Sequence, residues 1–93
     1  MSNYRLNIFN AMLLTGVYKA VGNLYKVDVK QQVNDIIVQF ESQKTGRITC
    51  IHFNLNTIKH GIELDPVENL ADYYVREAVE QITECEKDDY GSE

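Results

Sequence analysis

The chain has 93 residues, 44% of them hydrophobic and 25% charged, with a formal net charge of −5, which is the composition of one folded domain and not of a disordered chain. No apolar run approaches the roughly 20 residues of a membrane-spanning helix, and two cysteines are too few for the disulfide framework of a small secreted domain. Because the first residues also lack the basic and apolar pattern of a signal peptide, we expect a cytoplasmic protein that has no contact with membranes.

Residues 3–14 fit a helix and a strand almost equally well. Leu6, Phe9 and Leu13 have helical spacing, although the first residues also alternate as a strand would. Good helix formers fill the second half of the segment. They favour a short helix that ends near Gly16, because glycine suits the C-terminal cap of a helix.

Two β-prone segments, residues 17–21 and 24–30, flank the dipeptide Gly22-Asn23. Two such runs separated by two turn-forming residues predict a β-hairpin. A single helix through residues 4–21 is the competing interpretation, and the sequence leaves it open.

Residues 34–42 and 47–54 form the clearer predicted hairpin. In the first segment Ile36, Val38 and Phe40 alternate with Ile37, Gln39 and Glu41. The two segments flank a turn that contains Gly46. If Ser42 pairs with Arg47, one sheet face carries only matched, mainly apolar side chains, and a one-residue slip would destroy this match. The pairs are Phe40 with Thr49, Val38 with Ile51, and Ile36 with Phe53.

The opposite face of this hairpin carries Ile37, Ile48, Cys50 and His52. This face is too apolar to lie wholly in water. We therefore expect the N-terminal helix or a second copy of the chain to cover part of it, and these four residues are the candidate oligomer face of a homodimer.

Residues 55–64 are predicted as a connection with a short edge strand near residues 61–64. A long amphipathic helix follows over residues 65–85, with Asp65 as the N-cap, Pro66 at the first helical position and Glu68 completing a capping box. Its apolar stripe is expected to pack on the face that carries Val38. The stripe consists of Val67, Leu70, Ala71, Tyr74, Val75, Ala78, Ile82 and Cys85.

These elements predict an α+β fold: a short N-terminal helix, a four-stranded and mostly antiparallel meander, and a long amphipathic C-terminal helix packed on one sheet face. Residues 1–85 would form this single domain. Residues 86–93 have no apolar periodicity and are predicted to be an acidic flexible tail.

The charges are divided unequally along the chain. Residues 1–62 carry a net charge of +4, whereas residues 63–93 carry −9. Such asymmetry is typical of a surface that binds a partner, and acidic residues on the C-terminal helix recur at spacings of four. The candidate partner-binding residues are Glu68, Asp72, Tyr73, Arg76, Glu80 and Glu84.

The side chains that could bind a metal do not form a recognisable motif. Cys50 and His52 share a strand face, but His60 and Cys85 lie elsewhere, and no Cys-x-x-Cys or His-x₃-His pair is present. We therefore expect no metal and no cofactor. The sequence also lacks a nucleotide-binding glycine loop and a nucleophile beside a base, so an enzyme is not expected.

Nucleic-acid binding is a weaker alternative. Tyr18 and Tyr25 lie among Lys19, Lys26 and Lys30, and aromatic residues on a basic sheet can stack single-stranded bases. The predicted register places both tyrosines on one face of the sheet and Lys19 and Lys26 on the other face. The net negative charge of the chain also repels phosphate. Direct nucleic-acid binding is therefore not expected.

The function that these patterns favour is that of a small acidic protein-interaction module. Its C-terminal helix would engage a basic surface on another protein, and an inhibitor that imitates nucleic-acid charge, of the phage anti-defence or immunity type, is the extreme form. The alternative is a homo-oligomeric structural or scaffold protein.

Overall fold

The computed structural model describes the backbone of residues 2–91 and the side chains of residues 4–85. Within these residues the fold is α+β, with three helices and three antiparallel strands. The α+β prediction is confirmed, but the fourth strand is absent from this part of the chain. In chain order the elements are α1 Ser2–Val21, β1 Tyr25–Gln31, β2 Asp35–Ser42, β3 Ile48–Asn54, α2 Leu55–Leu64 and α3 Val67–Gly91.

The first correction concerns residues 17–21, which are the last part of α1 and not a strand. The stripe that begins with Leu6 and Phe9 continues at helical spacing through Leu13, Val17 and Val21, and all five side chains are buried. Burial of a continuous 3.6-residue stripe outweighs the β propensity of two valines. The predicted hairpin around Gly22 is therefore wrong, and the single-helix alternative is right.

The second predicted hairpin is confirmed in its register. Ile36 lies opposite Phe53, Val38 opposite Ile51, and Phe40 opposite Thr49. On its other side β2 pairs with β1, so that the sheet order is β1-β2-β3. The predicted strand at residues 24–30 exists, but its partner is β2 and not the segment before it.

The predicted connection at residues 55–64 is instead the helix α2. Asn54 is its N-cap, since the side-chain oxygen accepts a hydrogen bond from the N–H of Thr57 at 2.9 Å. Leu55, Ile58 and Ile62 are buried on one face. The edge strand predicted near residues 61–64 is therefore wrong, because this apolar spacing is helical.

The long C-terminal helix is present, but its start differs from the prediction by one residue. The N–H groups of Asn69 and Leu70 donate to the carbonyl of Pro66, so α3 begins at Val67 and Asp65 is the C-cap of α2. Cys85, predicted in the apolar stripe, is exposed because it lies beyond Ile82, the last of the described side chains that α3 buries in the core.

The helical backbone of α3 continues to Gly91 and so extends into the segment predicted as a flexible tail, residues 86–93. The side chains of that segment, and the backbone of residues 92 and 93, lie outside the described part of the chain.

All three helices contribute to one core on the inner face of the sheet, the face that carries Ile36, Val38 and Phe40. Helix α3 was predicted to lie across this face. It packs most extensively on α1 and contacts the sheet at Tyr74, whose ring centroid lies 4.9 Å from that of Phe53 and 5.7 Å from that of Phe9. Tyr74 thus joins α1, α3 and β3.

Helices α1 and α3 approach closely at Gly16. A Cβ atom built on Gly16 would lie 2.6 Å from Cγ2 of Val75, whereas one on Gly61 would lie 3.0 Å from the end of the flexible Leu70 side chain. Gly16 is therefore not the predicted helix cap. It is the point at which the absence of a side chain allows two helices to touch.

We predict that Gly16→Ala lowers the free energy of unfolding by about 1–2 kcal/mol, because the clash with Val75 outweighs the roughly 1 kcal/mol that alanine gains in helix propensity. Gly61→Ala is the matched control and should leave stability unchanged or raise it by up to about 1 kcal/mol, since Leu70 can move aside and the gain in helix propensity remains. Urea denaturation of both variants measures the difference. Equal effects of the two substitutions would contradict the close approach at Gly16.

Burial raises the pKa of the Tyr74 phenol, and the neighbouring Tyr73 and Glu77 raise it further. The unfolded chain therefore loses this proton at a lower pH than the folded chain does, so the contribution of Tyr74 to stability is complete below pH 10, the ordinary pKa, and is lost as the pH rises further. We predict that the unfolding free energy falls more steeply above pH 10 in the wild type than in Tyr74→Phe. Denaturation curves at several alkaline pH values test this, and identical slopes would contradict it.

Candidate functional site

A cleft of about 540 Å³ lies where the start of α1 meets the junction of α2 and α3. We call it the corner cleft. Three large apolar side chains border it and remain exposed: Tyr4 at 72%, Leu64 at 69% and Ile8 at 38%. Exposed apolar side chains that gather around one depression are typical of a binding surface. The lining residues are Tyr4, Arg5, Ile8, Glu63, Leu64, Asp65, Pro66, Val67 and Glu68.

The rim of the corner cleft is acidic. Glu63, Asp65 and Glu68 contribute three carboxylates, and all three residues are exposed. The guanidinium of Arg5 is the cation among the lining residues, and its Nη1 donates a hydrogen bond to the carbonyl of Ile62 at 3.3 Å. This bond ties the first turns of α1 to the end of α2, so the apolar and acidic groups belong to one surface.

The predicted acidic row on α3 does not form one flat face. Glu68, Asp72, Arg76, Glu80 and Glu84 are all exposed, but each position lies about 40° further round the helix than the one before it. Glu68 and Glu84 therefore point about 160° apart. The row crosses the solvent side of α3 as a diagonal, so a partner that touches Glu68 meets Glu84 only by wrapping around the helix.

Arg76 interrupts the negative charge in the middle of this row. Its Nη2 lies 3.3 Å from Oδ2 of Asp72, an exposed i,i+4 ion pair. Such pairs contribute little to stability, but this one neutralises the carboxylate of Asp72. The row therefore consists of Glu68 at the corner cleft and the pair Glu80 and Glu84 further along α3.

Tyr73 lies on the surface, as predicted, with 56% of its area exposed. Its ring packs edge-on against the ring of Tyr74, with centroids 5.2 Å apart. Because Tyr74 is itself held between Phe9 and Phe53, Tyr73 is presented on a rigid support. It lies two turns before Glu80 and on nearly the same side of α3.

The predicted oligomer face is open to solvent in the monomer. Ile48 is 55% exposed, and Cys50 and His52 are also exposed, whereas Ile37 is only 7% exposed. Helix α1 does not cover this face, because its buried stripe belongs to the core on the other side of the sheet. The sequence predicts that either the N-terminal helix or a second copy of the chain covers part of this face. The structure excludes the N-terminal helix.

The predicted oligomer face belongs to the outer face of the sheet, the face directed away from the core. Strand β1 makes this outer face more polar than the β2–β3 hairpin alone indicates. Lys26 lies beside Glu41, and Lys30 lies beside Ile37. His52 reaches Asp35, with Nδ1 and Oδ2 3.4 Å apart. The apolar part of the outer face is therefore concentrated on β3, at Ile48 and Cys50, and does not extend across all three strands.

The four candidate metal ligands occupy three different elements. Cys50 and His52 lie on β3, His60 lies on α2, and Cys85 lies near the end of α3. Among the residues that the structure describes, no group of three or more histidine, cysteine or acidic side chains is arranged to hold a metal ion.

The two tyrosines of the nucleic-acid alternative are not placed for base stacking on a common surface. Tyr18 is exposed on α1, whereas Tyr25 is buried on β1 with its ring edge against Phe40, at a centroid distance of 5.6 Å. Of the two strands on which this alternative depends, β1 forms but the first does not, because residues 17–21 are helical.

Sequence reasoning missed Tyr4, Ile8, Glu63 and Leu64 as site residues. Ile8 lies away from the buried stripe of α1, which is a signal that the sequence carries. Glu63 and Leu64 carry no such signal when residues 55–64 are predicted as a connection. The helical spacing of Leu55, Ile58 and Ile62 would have placed Leu64 on the opposite, exposed side.

None of the helices within the described residues is both long and apolar enough to cross a membrane. No protein-family model matches the chain, and neither the curated proteins nor the solved structures that were compared with it gave a match.

Proposed function

We propose that this chain is a small protein-binding module that engages a basic surface of a partner protein. The observation that carries the proposal is the corner cleft, where the exposed apolar side chains of Tyr4, Ile8 and Leu64 stand beside the carboxylates of Glu63 and Glu68. The proposed ligand is a protein segment in which a large apolar side chain neighbours lysine or arginine.

The apolar side chains would supply most of the affinity. Leu64 is the last residue of α2 and is exposed, so no packing role within the described core explains it. Burying a leucine side chain in a partner interface contributes about 1.5–3 kcal/mol. Buried anchors of this kind dominate the energetics of many interfaces.

The carboxylates would supply orientation and rate. The acidic C-terminal third carries a net charge of −9, and the carboxylates at the corner cleft would favour the approach of a basic segment there. Such charges accelerate association, and salt screens them over about 10 Å at 0.1 M. Binding should therefore weaken as the salt concentration rises, without being abolished.

The wider row on α3 is a secondary contact in this proposal. Tyr73, Glu80 and Glu84 are exposed and could extend the interface of a larger partner. The diagonal course of the row and the Asp72–Arg76 ion pair make a regular imitation of nucleic-acid phosphates the less favoured form. An inhibitory role remains one use of such a module and depends on the partner.

We predict that selection of a library of random short peptides on the immobilised protein enriches peptides with lysine or arginine next to a large apolar residue. Leu64→Ser should lower the affinity of a selected peptide about tenfold, which corresponds to 1.4 kcal/mol. Leu24→Ser is the matched control, because Leu24 is also an exposed leucine but follows the other end of α1. It should leave the affinity unchanged.

The charge contribution is tested by a second matched pair. Glu63→Gln with Glu68→Gln should weaken peptide binding about threefold to tenfold, whereas Glu80→Gln with Glu84→Gln, which changes net charge equally, should have a smaller effect. Fluorescence anisotropy at low and high salt measures both. Equal losses from the two pairs, or no enrichment of basic peptides, would contradict a binding site at the corner cleft.

A further inference from the structure

The two edges of the sheet differ in which backbone groups remain unpaired. In the β2–β3 ladder, the N–H of Ser42 donates to the carbonyl of Arg47, and the N–H of Leu55 donates to that of Asn34. Because hydrogen-bonded and non-bonded pairs alternate in an antiparallel ladder, Thr49, Ile51 and Phe53 bond to β2. The N–H and C=O groups of Ile48, Cys50 and His52 therefore point away from the sheet.

These outward groups of β3 have no backbone partner within residues 2–91, where the backbone is described. The side chains of Ile48, Cys50 and His52 are exposed as well, so no helix closes this edge with the side chains of residues 4–85 that the structure describes. Strand β3 carries no lysine, arginine or carboxylate from Ile48 to Asn54. An uncharged edge strand with β-branched residues is a template for pairing with another strand.

The edge of β1 is protected. The N–H of Gln43 donates to the carbonyl of Leu24, and the N–H of Gln32 donates to that of Asp35. The backbone N–H and C=O groups of the odd-numbered residues of β1 therefore point away from the sheet. One of them, Val29, donates its N–H to the carboxylate of Asp28 at 2.9 Å. The strand also bears Lys26 and Lys30 and packs against α1. Charges on an edge strand oppose pairing.

We propose that β3 pairs antiparallel with β3 of a second copy of this chain, which makes one continuous six-stranded sheet across a two-fold axis. The charge of β3 indicates that the strand pairing with it is a second copy of β3. The chain as a whole is acidic, yet β3 is an uncharged edge that meets itself without placing like charges opposite each other, since His52 is paired with Asp35 of its own chain.

The hydrogen-bond pattern also fixes the register. Outward-facing residues must face each other, and only a two-fold axis at Cys50 pairs Ile48, Cys50 and His52 among themselves. An axis at Thr49 would leave His52 opposite Gly46, which lies outside β3. An axis at Ile51 would require Asn54, which is the N-cap of α2 and whose carbonyl is already used by that helix. The axis therefore lies at Cys50. Ile48 then pairs with His52 of the second copy, and Cys50 pairs with its own equivalent.

In this arrangement the exposed residues of the predicted oligomer face, Ile48, Cys50 and His52, meet those of the second copy along the strand edge. The two sheets do not stack face to face. It is independent of the proposed function, because the corner cleft is formed by the helices and contains no residue of β3. Opposed residues of a hydrogen-bonded pair have Cα atoms about 5.5 Å apart, which brings the two Cys50 thiols within reach of a short bis-maleimide crosslinker.

The two exposed cysteines provide the test. In the Cys85→Ser chain, a short bis-maleimide should give covalent dimers through Cys50, with a yield that rises with protein concentration. In the Cys50→Ser chain, crosslinking through Cys85 should remain at the level of random collision. Preferential crosslinking through Cys85, or none through Cys50, would overturn the proposal.

Sedimentation velocity provides the second measurement. The full chain should change from one to two copies as its concentration rises, and Cys50→Lys should shift the midpoint to at least about tenfold higher concentration by opposing two like charges. Cys85→Lys is the matched control and should leave the midpoint unchanged, and circular dichroism verifies that both variants are folded. The proposal would be overturned if the chain stayed monomeric at all concentrations, or if Cys50→Lys left the midpoint unchanged. It would also be overturned if β3 paired only with an added strand-forming peptide and not with a second copy.

Discussion

The rest of the structure depends on the apolar stripe of α1. Leu6, Phe9, Leu13, Val17 and Val21 are all buried, and they lie between α3 and the inner face of the sheet. Because this stripe extends over the whole helix, α1 occupies one side of the sheet and shields β1. The fold therefore closes its core on one face and leaves the outer face and the β3 edge in contact with solvent.

Two local features allow this packing. Gly16 lets α1 approach Val75 of α3, and Tyr74 fills the space between Phe9 and Phe53. The consequence for function is that the surfaces of the molecule are separate. The corner cleft is built from helix ends, the acidic diagonal runs along α3, and the open edge belongs to β3.

Much of this fold could be predicted from the sequence, and the failures have physical causes. The β2–β3 hairpin was predicted in its correct register because one apolar face fixed the pairing of Ile36 with Phe53. The segment at residues 17–21 was misassigned because Val17 and Val21 suit both a strand and the end of a helical stripe, and only tertiary packing decides between them. The exposed position of Tyr73 was also predicted, from its place beside Tyr74 on one helix. The corner cleft could not be predicted, since it forms only where the start of α1 meets the junction of α2 and α3.

Strand β3 is an open edge whose outward backbone groups alternate with inward ones. Residue-resolved amide hydrogen exchange tests this most directly. In dilute solution the amides of Thr49, Ile51 and Phe53 should exchange slowly and those of Ile48, Cys50 and His52 rapidly, and the rapid set should become protected as the protein concentration rises. Uniform protection along β3 in the dilute monomer would contradict the open edge, and rapid exchange of Ile48, Cys50 and His52 at every concentration would contradict the pairing of two copies.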